Sequence, residues 1–333
     1  KLVTGVQTCA LPILIEMGIG ARIESSKNEK LREESKNIQY EVILPKYSLS
    51  DITIPANTEA SIADFLAYKK HEQLIFKEWG LEHTHHHQKQ TAINLYGESG
   101  TGKTMAAHAI AKELKQPLII VDYASLESKY VGETSKNITE IFRQAKEQQA
   151  ILFFDEADTL LGKRLSSVTQ GVDNEVNAMR STMLIELEKF DGIVIFATNF
   201  AKNYDEAFRS RIGYHVEFTL PDLEARTRLW QKMLVAKIPL AEDRAELIQR
   251  CAGYSEGFSG REIRTCMRLA LPKVLIEAES LVQQPKLAFS HLQSAMDSVR
   301  KSQKEVGSNV DSSVNRQRAV AEANLARNIL GVK

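Results

Sequence analysis

Three glycines, a lysine and a threonine between residues 97 and 104 follow the spacing G-x-x-x-x-G-K-T. Glycines let the backbone turn closely around a ligand and point its N–H groups at phosphate oxygens. A lysine at this position can reach the β and γ phosphates of a nucleotide, and the next hydroxyl can ligate Mg²⁺. The sequence therefore predicts a P-loop that binds ATP and Mg²⁺. Its residues are Gly97, Glu98, Ser99, Gly100, Thr101, Gly102, Lys103 and Thr104.

Two carboxylates follow the apolar run Ile151–Phe154. Ligands of open parallel sheets bind at the carboxyl ends of the strands, where this pair would lie. Asp155 would hold the Mg²⁺ together with Thr104, and Glu156 would orient and polarise the water that attacks the nucleotide. On its own, an apolar run that ends in two acids is more often a strand that meets solvent. Its position behind a P-loop favours the catalytic interpretation.

Short apolar runs alternate with amphipathic segments from residue 92 to residue 218. Such alternation indicates a parallel β-sheet with helices on both faces, and it places the P-loop between a strand and the helix that follows. The expected strands are Ala92–Tyr96, Leu118–Val121, Ile151–Phe154, Ile193–Ala197 and His215–Phe218, and the expected helices are Lys103–Leu114, Ser135–Gln148 and Asn174–Phe190.

The segments on either side of this alternation have a different character. A strand over Ile38–Leu44 and a helix over Ile62–Trp79, ended by Gly80, are expected before it. After Pro221 the periodicity predicts helices alone. The predicted fold class is therefore α/β, a P-loop NTPase parallel sheet covered by helices and followed by a small all-helical lid domain. The predicted lid helices are Leu223–Val235, Asp243–Cys251, Gly260–Ala278 and Ser290–Lys304.

These elements divide the chain into four predicted segments. An N-terminal segment covers residues 1–60, a large nucleotide-binding domain residues 61–220, a helical lid residues 221–305, and a polar tail residues 306–333. Residues 1–13 resemble translated sequencing-adapter sequence and support no functional inference. Residues 24–36 are almost wholly charged or polar, which indicates a linker or a solvated helix.

Composition limits the classes of partner and compartment. The 333 residues include 43 basic and 43 acidic side chains, so no basic surplus points to a nucleic-acid partner. No apolar run approaches the roughly 20 residues that span a bilayer, so we expect no membrane association. Three scattered cysteines, Cys9, Cys251 and Cys266, fit a reducing compartment. The expected location is the cytoplasm.

The P-loop, the acidic strand end and their separation resemble the AAA branch of the P-loop ATPases. The resemblance covers about Ile62 to Lys304. It implies a Mg²⁺-dependent ATP hydrolase in a homo-oligomer, usually a hexameric ring, that remodels or threads a polypeptide substrate. One departure is the pair Glu98 and Ser99, where the family usually has two prolines. Contacts made through backbone N–H groups tolerate this change.

The resemblance also implies roles for residues that follow the next two strands. Asn199, after the strand Ile193–Ala197, would be the first sensor and would position the water beside the γ phosphate. Arg211 would be the arginine finger that reaches the ATP site of a neighbouring subunit, with Arg209 as a second contact. The segment is shorter than in many relatives, which leaves the register of the two arginines open. An ordinary strand-end turn and two surface arginines are the alternatives.

Further segments match substrate-facing and lid-facing parts of the family. Tyr130, Val131 and Gly132 resemble the aromatic loop that lines the central pore and grips an extended polypeptide. The insert Leu161–Val172 resembles a second pore loop, although loops of this composition are common. Arg261 lies in a stretch that resembles the second sensor. It would contact phosphate or would pair with an acid, and the sequence does not decide between the two.

Two histidine patterns suggest metal chemistry only weakly. His83, His85, His86 and His87 form a tract, but adjacent loop histidines make poor closed metal geometry. His71 and Glu72 begin like a zinc-protease motif, but isoleucine occupies the position that needs the second histidine.

Two rivals to a polypeptide-remodelling motor remain. One is a nucleotide-dependent switch or scaffold that assembles on ATP without threading anything. The other is a nucleic-acid motor such as a clamp loader or replication initiator, which the neutral net charge and the aromatic loop disfavour.

Overall fold

A computed structural model describes residues 40–84, 91–122, 126, 133–162, 171–199 and 205–305. Its central feature is one six-stranded sheet with the strand order β1-β3-β4-β5-β2-β6. All neighbours are parallel except β1, which runs antiparallel to β3. The predicted parallel α/β sheet is confirmed, with one antiparallel edge strand added. The strands are β1 Val42–Ile43, β2 Thr91–Gly97, β3 Leu118–Val121, β4 Ile151–Phe154, β5 Ile193–Thr198 and β6 Tyr214–Phe218.

Helices cover both faces of this sheet, as the continuous apolar strands require. One face packs on α1 and α2, and the other packs on α3 and α5, so each face has its own hydrophobic core. The strands β4 and β5 lie at the centre and are buried along their whole length. The helices of this part are α1 Ala56–Lys70, α2 Lys103–Glu113, α3 Glu133–Glu147, α4 Asp158–Leu161, α5 Gly171–Lys189 and α6 Glu206–Arg211.

Four helices follow β6 and enclose a third core built around Trp230. The buried Arg226 connects the start of this lid to a later lid helix. Its guanidinium donates to the carbonyls of Pro221 and Ala252, both at 2.9 Å. One isolated bridge, between Leu240 and Leu287, is the sole β pairing among the described residues after β6. The lid helices are α7 Leu223–Met233, α8 Arg244–Tyr254, α9 Gly260–Leu281 and α10, residues 289–305.

The expected helix over Ile62–Trp79 is wrong in its bounds. The α-helix α1 begins at Ala56, directly after Pro55, and ends at Lys70; a π-helix over Leu74–Glu78 follows. The first turn of α1 is mostly polar, so the periodicity of apolar residues did not predict it. The boundary at residue 61 stays a prediction, although β1 and this first turn both lie before it and pack on the sheet.

Apart from α1, the predicted elements match the observed ones to within a few residues at each end. The main shortfall is the first strand, which was expected over Ile38–Leu44 and covers only Val42–Ile43. Among the described residues, no helix combines the length and apolarity needed to span a bilayer.

Candidate nucleotide site

The P-loop leaves the end of β2 in a conformation that depends on glycine. Gly97 has φ +139°, and a Cβ there would lie 2.1 Å from the carbonyl oxygen of Phe218 on the neighbouring strand β6. Gly100 has φ +80°, and a Cβ there would lie 2.8 Å from the Cβ of Arg261 and 2.9 Å from Oγ of Ser259. The loop is therefore confined between the sheet and the N-terminus of lid helix α9.

The Lys103 side chain is buried at the start of α2. Its ammonium donates to the carbonyls of Gly97 at 2.7 Å and Glu98 at 2.8 Å, and to Oδ1 of Asn199 at 3.0 Å. Burial lowers the pKa of this ammonium, while the nearby carboxylate of Asp155 raises it. A phosphate in the loop would give the buried charge an anionic partner, which makes the site well suited to an anion.

Thr104 and Asp155 contact each other within the site. The Thr104 hydroxyl donates to Oδ2 of Asp155 at 3.0 Å, so a hydroxyl from α2 and a carboxylate from the end of β4 are adjacent. Hard oxygen donors of this kind are the ligands that Mg²⁺ takes, usually beside substrate phosphates and water. The two residues present therefore fit the predicted Mg²⁺ site.

Asp158 holds the end of β5 in place. One of its carboxylate oxygens accepts from the backbone N–H of Asn199 at 3.0 Å and from the hydroxyl of Thr198. A second link is the bond from the N–H of Ala157 to the carbonyl of Ala197, at 2.8 Å. The turn after β4 and the end of β5 are thus fixed to each other, and Asn199 is held next to Lys103.

Glu156 is exposed at the strand end, and its backbone is strained. Its φ is +51°, in the left-handed region that non-glycine residues rarely adopt. Its N–H donates to Oδ1 of Asp155 at 3.0 Å, which steadies the turn. Strained backbone of this kind clusters at active sites, where the surrounding structure determines it.

The lid closes the site from the opposite side. Arg261 donates from its guanidinium to the hydroxyl of Ser99 at 3.0 Å, and its backbone N–H donates to the carbonyl of Gly100 at 3.2 Å. Ser259 and Glu262 cap the helix reciprocally and fix where α9 begins. A cavity of about 260 Å³ lies between loop and lid, lined by residues 99–105, 155, 156 and 199, by residues 51–54, and by lid residues that include Arg261 and Arg264.

Comparison with known proteins identifies the family of this site. Residues 93–220 match the family model described as "ATPase family associated with various cellular activities (AAA)". The chain contains an AAA domain. The matched span runs from β2 to just past β6, so it includes the P-loop, the acidic end of β4 and the end of β5. The AAA domain belongs to a family of ATPases.

In three curated relatives, about a third of the residues in the aligned stretch are identical to this chain. A cell division cycle protein 48 homolog of Archaeoglobus fulgidus is 34% identical over 224 residues, which cover 64% of this chain and 29% of the relative. A 26S proteasome regulatory subunit 7 homolog of Schizosaccharomyces pombe is 35% identical over 214 residues, 60% of this chain and 49% of the relative. Spastin of Ixodes scapularis is 34% identical over 227 residues, 64% of this chain and 34% of the relative. The match spans less than half of each relative.

The two candidate arginines of the AAA domain lie apart from the nucleotide cavity. Arg211 ends α6, where its guanidinium pairs with Glu188 at 2.5 Å and donates to the carbonyl of Ala207 at 3.0 Å. Arg209 is exposed on the same helix. Neither side chain lines the nucleotide cavity of its own chain.

Some predicted residues fall outside the described part of the chain. These are Tyr130, Val131 and Gly132, residues 163–170 of the expected second pore loop, and His85, His86 and His87. His83 closes a short helical turn, and Glu72 pairs with Lys69 at 2.8 Å. The assignments at the two pore loops stay predictions.

Sequence reasoning missed several residues that shape the site. The acid Asp158 could have been noted, since it stands three residues after Asp155 and its short side chain favours turns. The wall formed by Asp51, Ile52, Thr53 and Ile54 carries no motif, because it comes from the end of a 3-10 helix and the irregular residues after it, far from the P-loop in sequence. Glu188, the partner of Arg211, gives no signal either.

Proposed function

We propose that this chain hydrolyses ATP to ADP and phosphate at the described cavity. The observation that supports this most directly is the convergence of four side chains from two strand ends and one helix. Lys103 contacts Asn199, and Thr104 contacts Asp155, each at 3.0 Å. A cation, two oxygen ligands and an amide around one phosphate loop are the groups that positioning and charge stabilisation in phosphoryl transfer require.

In this proposal, each residue of the site has a separate role in the reaction. Lys103 and the loop N–H groups hold the β and γ phosphates. Thr104 and Asp155 hold Mg²⁺, which supplies charge neutralisation on the phosphate oxygens when it is bound. Glu156 accepts a proton as the water oxygen bonds to the γ phosphorus, and the bond from that phosphorus to the β–γ bridging oxygen breaks. Asn199 orients the water, because an amide can donate and accept at once.

The site is completed, in this proposal, by a neighbouring copy of the chain. Arg211 extends from α6 toward the ATP site of the adjacent subunit and neutralises charge on the transferred phosphoryl group, with Arg209 beside it. Its position outside its own cavity and its accessible ion pair with Glu188 support this arrangement. We infer a homo-oligomeric ring, most simply a hexamer.

Lys103→Ala should abolish ATP binding, because it removes the charge that partners the β and γ phosphates. Titration of a fluorescent ATP analogue measures the affinity. The matched control is Lys112→Ala, which removes an exposed lysine from the same helix α2 and should leave affinity unchanged. Equal affinity in the two variants, with both folded by circular dichroism, would reject the assignment of the P-loop.

The proposed substrate is a polypeptide, which Tyr130 grips in the pore of the ring. The regulatory-subunit and cell-division names of the relatives are compatible with action on other proteins, and nothing in the net charge points to nucleic acid. A nucleotide switch that assembles without threading is the other function this site could serve. The two functions differ in whether an unfolded polypeptide stimulates hydrolysis.

Tyr130→Ala should leave basal ATP hydrolysis and assembly largely intact but remove stimulation by an unfolded polypeptide. The reason is that the aromatic ring contacts the substrate, whereas Lys103, Asp155 and Glu156 keep their geometry. The measurement is the hydrolysis rate with and without a permanently unfolded protein. If Tyr130 were a core residue, its loss would cost about 3–5 kcal/mol, and the melting temperature would fall. A stable variant that still responds fully to polypeptide favours the switch.

A further inference from the structure

A second cavity is distinct from the nucleotide pocket. It has a volume of about 770 Å³ and lies between helix α1, the segment 49–54, which begins with the 3-10 helix Leu49–Asp51, and lid helix α7. That volume is within the range of about 300–1,000 Å³ that small-molecule pockets occupy. The apolar lining comes from two sides, with Ile62, Leu66 and two alanines on α1 and Leu49, Ile52 and Ile54 on the segment.

The shape of the cavity is set by α1. Lining residues run along this helix from Glu59 to Lys70, which is about 16 Å at 1.5 Å per residue. Apolar side chains occupy the middle of that stretch, and charged side chains stand at the two ends. An apolar lining with charged side chains at both ends fits a chain-shaped amphipathic molecule better than a compact polar one.

The charge of the lining favours an anion. Three cations, Lys70, Arg228 and Lys232, face two acids, Glu59 and Glu113. Lys70 and Glu113 lie 3.4 Å apart, whereas Arg228 reaches Glu59 only at 3.9 Å. Each of the two acids therefore lies within 4 Å of a cation, and the remaining positive charge of the lining is that of Lys232.

Arg228 is incompletely satisfied. One of its terminal nitrogens donates to the carbonyl of Ile54 at 2.8 Å, but its Nε is buried and has no hydrogen-bond partner among the described residues. A buried donor without an acceptor is costly, and a carboxylate can accept from two N–H groups of one guanidinium. Because Nε itself is buried, an anionic head group in the cavity would contact Arg228 through the exposed part of its side chain.

The cavity shares a wall with the nucleotide pocket. Ile52, Thr53 and Ile54 line both. Lid helix α7 holds this wall through backbone carbonyls, since Lys232 donates to Ser50 at 2.7 Å and to Ile52 at 3.1 Å, while Arg228 donates to Ile54. A head group that bound these cations would break their hydrogen bonds to the carbonyls. It would thereby change the wall that also lines the nucleotide pocket.

We propose that this cavity is a regulatory site for an amphipathic anion with an aliphatic chain, whose head group binds Arg228 and Lys232 of the lid. Its occupancy is linked to nucleotide binding through the shared wall 52–54. By linkage, the ligand and the nucleotide change each other's affinity by the same factor.

Calorimetric titration of the full chain with decanoate, without nucleotide and below the micelle concentration, tests the site. Decanoate should bind with a stoichiometry of one per chain, and decanol and decyltrimethylammonium should bind at least about tenfold more weakly, because they offer no anionic acceptor. Equal binding of all three would show a non-specific apolar surface and overturn the proposal. Because no nucleotide is present, this result does not depend on whether the chain hydrolyses ATP.

Two pairs of variants locate the binding. Ala67→Phe places a ring in the cavity from an exposed position on α1 and should abolish decanoate binding, whereas Ala60→Phe, exposed on the same helix but not lining the cavity, should not. Arg228→Gln should weaken binding about tenfold or more, because a charge-assisted hydrogen bond is lost. Its control is Lys237→Gln, an exposed lid lysine away from the cavity. Unchanged affinity in Ala67→Phe would overturn the site even if Arg228→Gln proved unstable.

Repetition of the decanoate titration at saturating ADP tests the linkage. The dissociation constant should change by about fivefold or more, the lower end of typical coupling between sites. The same dissociation constant with and without ADP would overturn the regulatory role of the shared wall.

Discussion

Glu156→Gln should bind Mg-ATP with near-normal affinity and hydrolyse it about 10²–10⁴-fold more slowly, because an amide cannot accept the proton of the attacking water. The two side chains have the same shape, so the strained turn at φ +51° and the contact between Thr104 and Asp155 should persist. The variant should accumulate as the ATP-bound oligomer. Phosphate release and size-exclusion chromatography with ATP measure the two effects.

A matched control distinguishes the loss of the general base from the mere loss of one negative charge. Glu78→Gln removes an exposed carboxylate from the π-helix after α1, and this residue does not line the nucleotide cavity. Its hydrolysis rate should equal that of the unaltered chain. Substantial turnover by Glu156→Gln would instead move the role of base to another group.

Much of the sheet could be predicted because its strands are short apolar runs bounded by polar segments. Ile151–Phe154 was predicted with the bounds that the structure shows. The strand order could not be predicted in the same way, since it depends on which helices cross which face. The antiparallel pairing of Val42–Ile43 with β3 left no periodic pattern, because two residues are too few to show one.

The prediction of α1 failed for a physical reason. Thr58 is buried although it is polar, and its hydroxyl donates to the carbonyl of Glu217 at 2.8 Å. A pattern based on apolar residues misses such a position. The helix therefore starts six residues, or nearly two turns, before Ile62, where the sequence-based prediction placed its start.

The candidate site shows the same contrast between residues that the local sequence predicts and residues that it does not. Motif spacing identified Lys103, Thr104 and Asp155, because chemistry fixes their types and the fold fixes their separation. It could not identify the support they receive from elsewhere. Asp158 holds Asn199 through its backbone, and the wall 51–54 reaches the nucleotide from an unrelated stretch of chain. These contacts depend on tertiary packing, which the local sequence does not encode.

Arg211→Ala should lower hydrolysis about 10³–10⁵-fold without weakening nucleotide binding, as loss of an arginine finger does in related NTPases. The variant has an intact site of its own but offers no finger to its neighbour. Lys103→Ala subunits have the opposite defect. Mixing the two inactive variants should therefore restore part of the activity, wherever an intact site meets an intact finger.

The ion pair with Glu188 provides the control for this experiment. Glu188→Gln breaks the pair at 2.5 Å but leaves the guanidinium in place. Exposed pairs of this kind contribute about 0–1 kcal/mol, so this variant should stay folded and active. A collapse of activity in Glu188→Gln would mean that Arg211 acts through the structure of its own chain. Inactive mixtures of Arg211→Ala and Lys103→Ala, with co-assembly shown by cross-linking, would lead to the same conclusion, because a finger that acts between subunits must complement in trans.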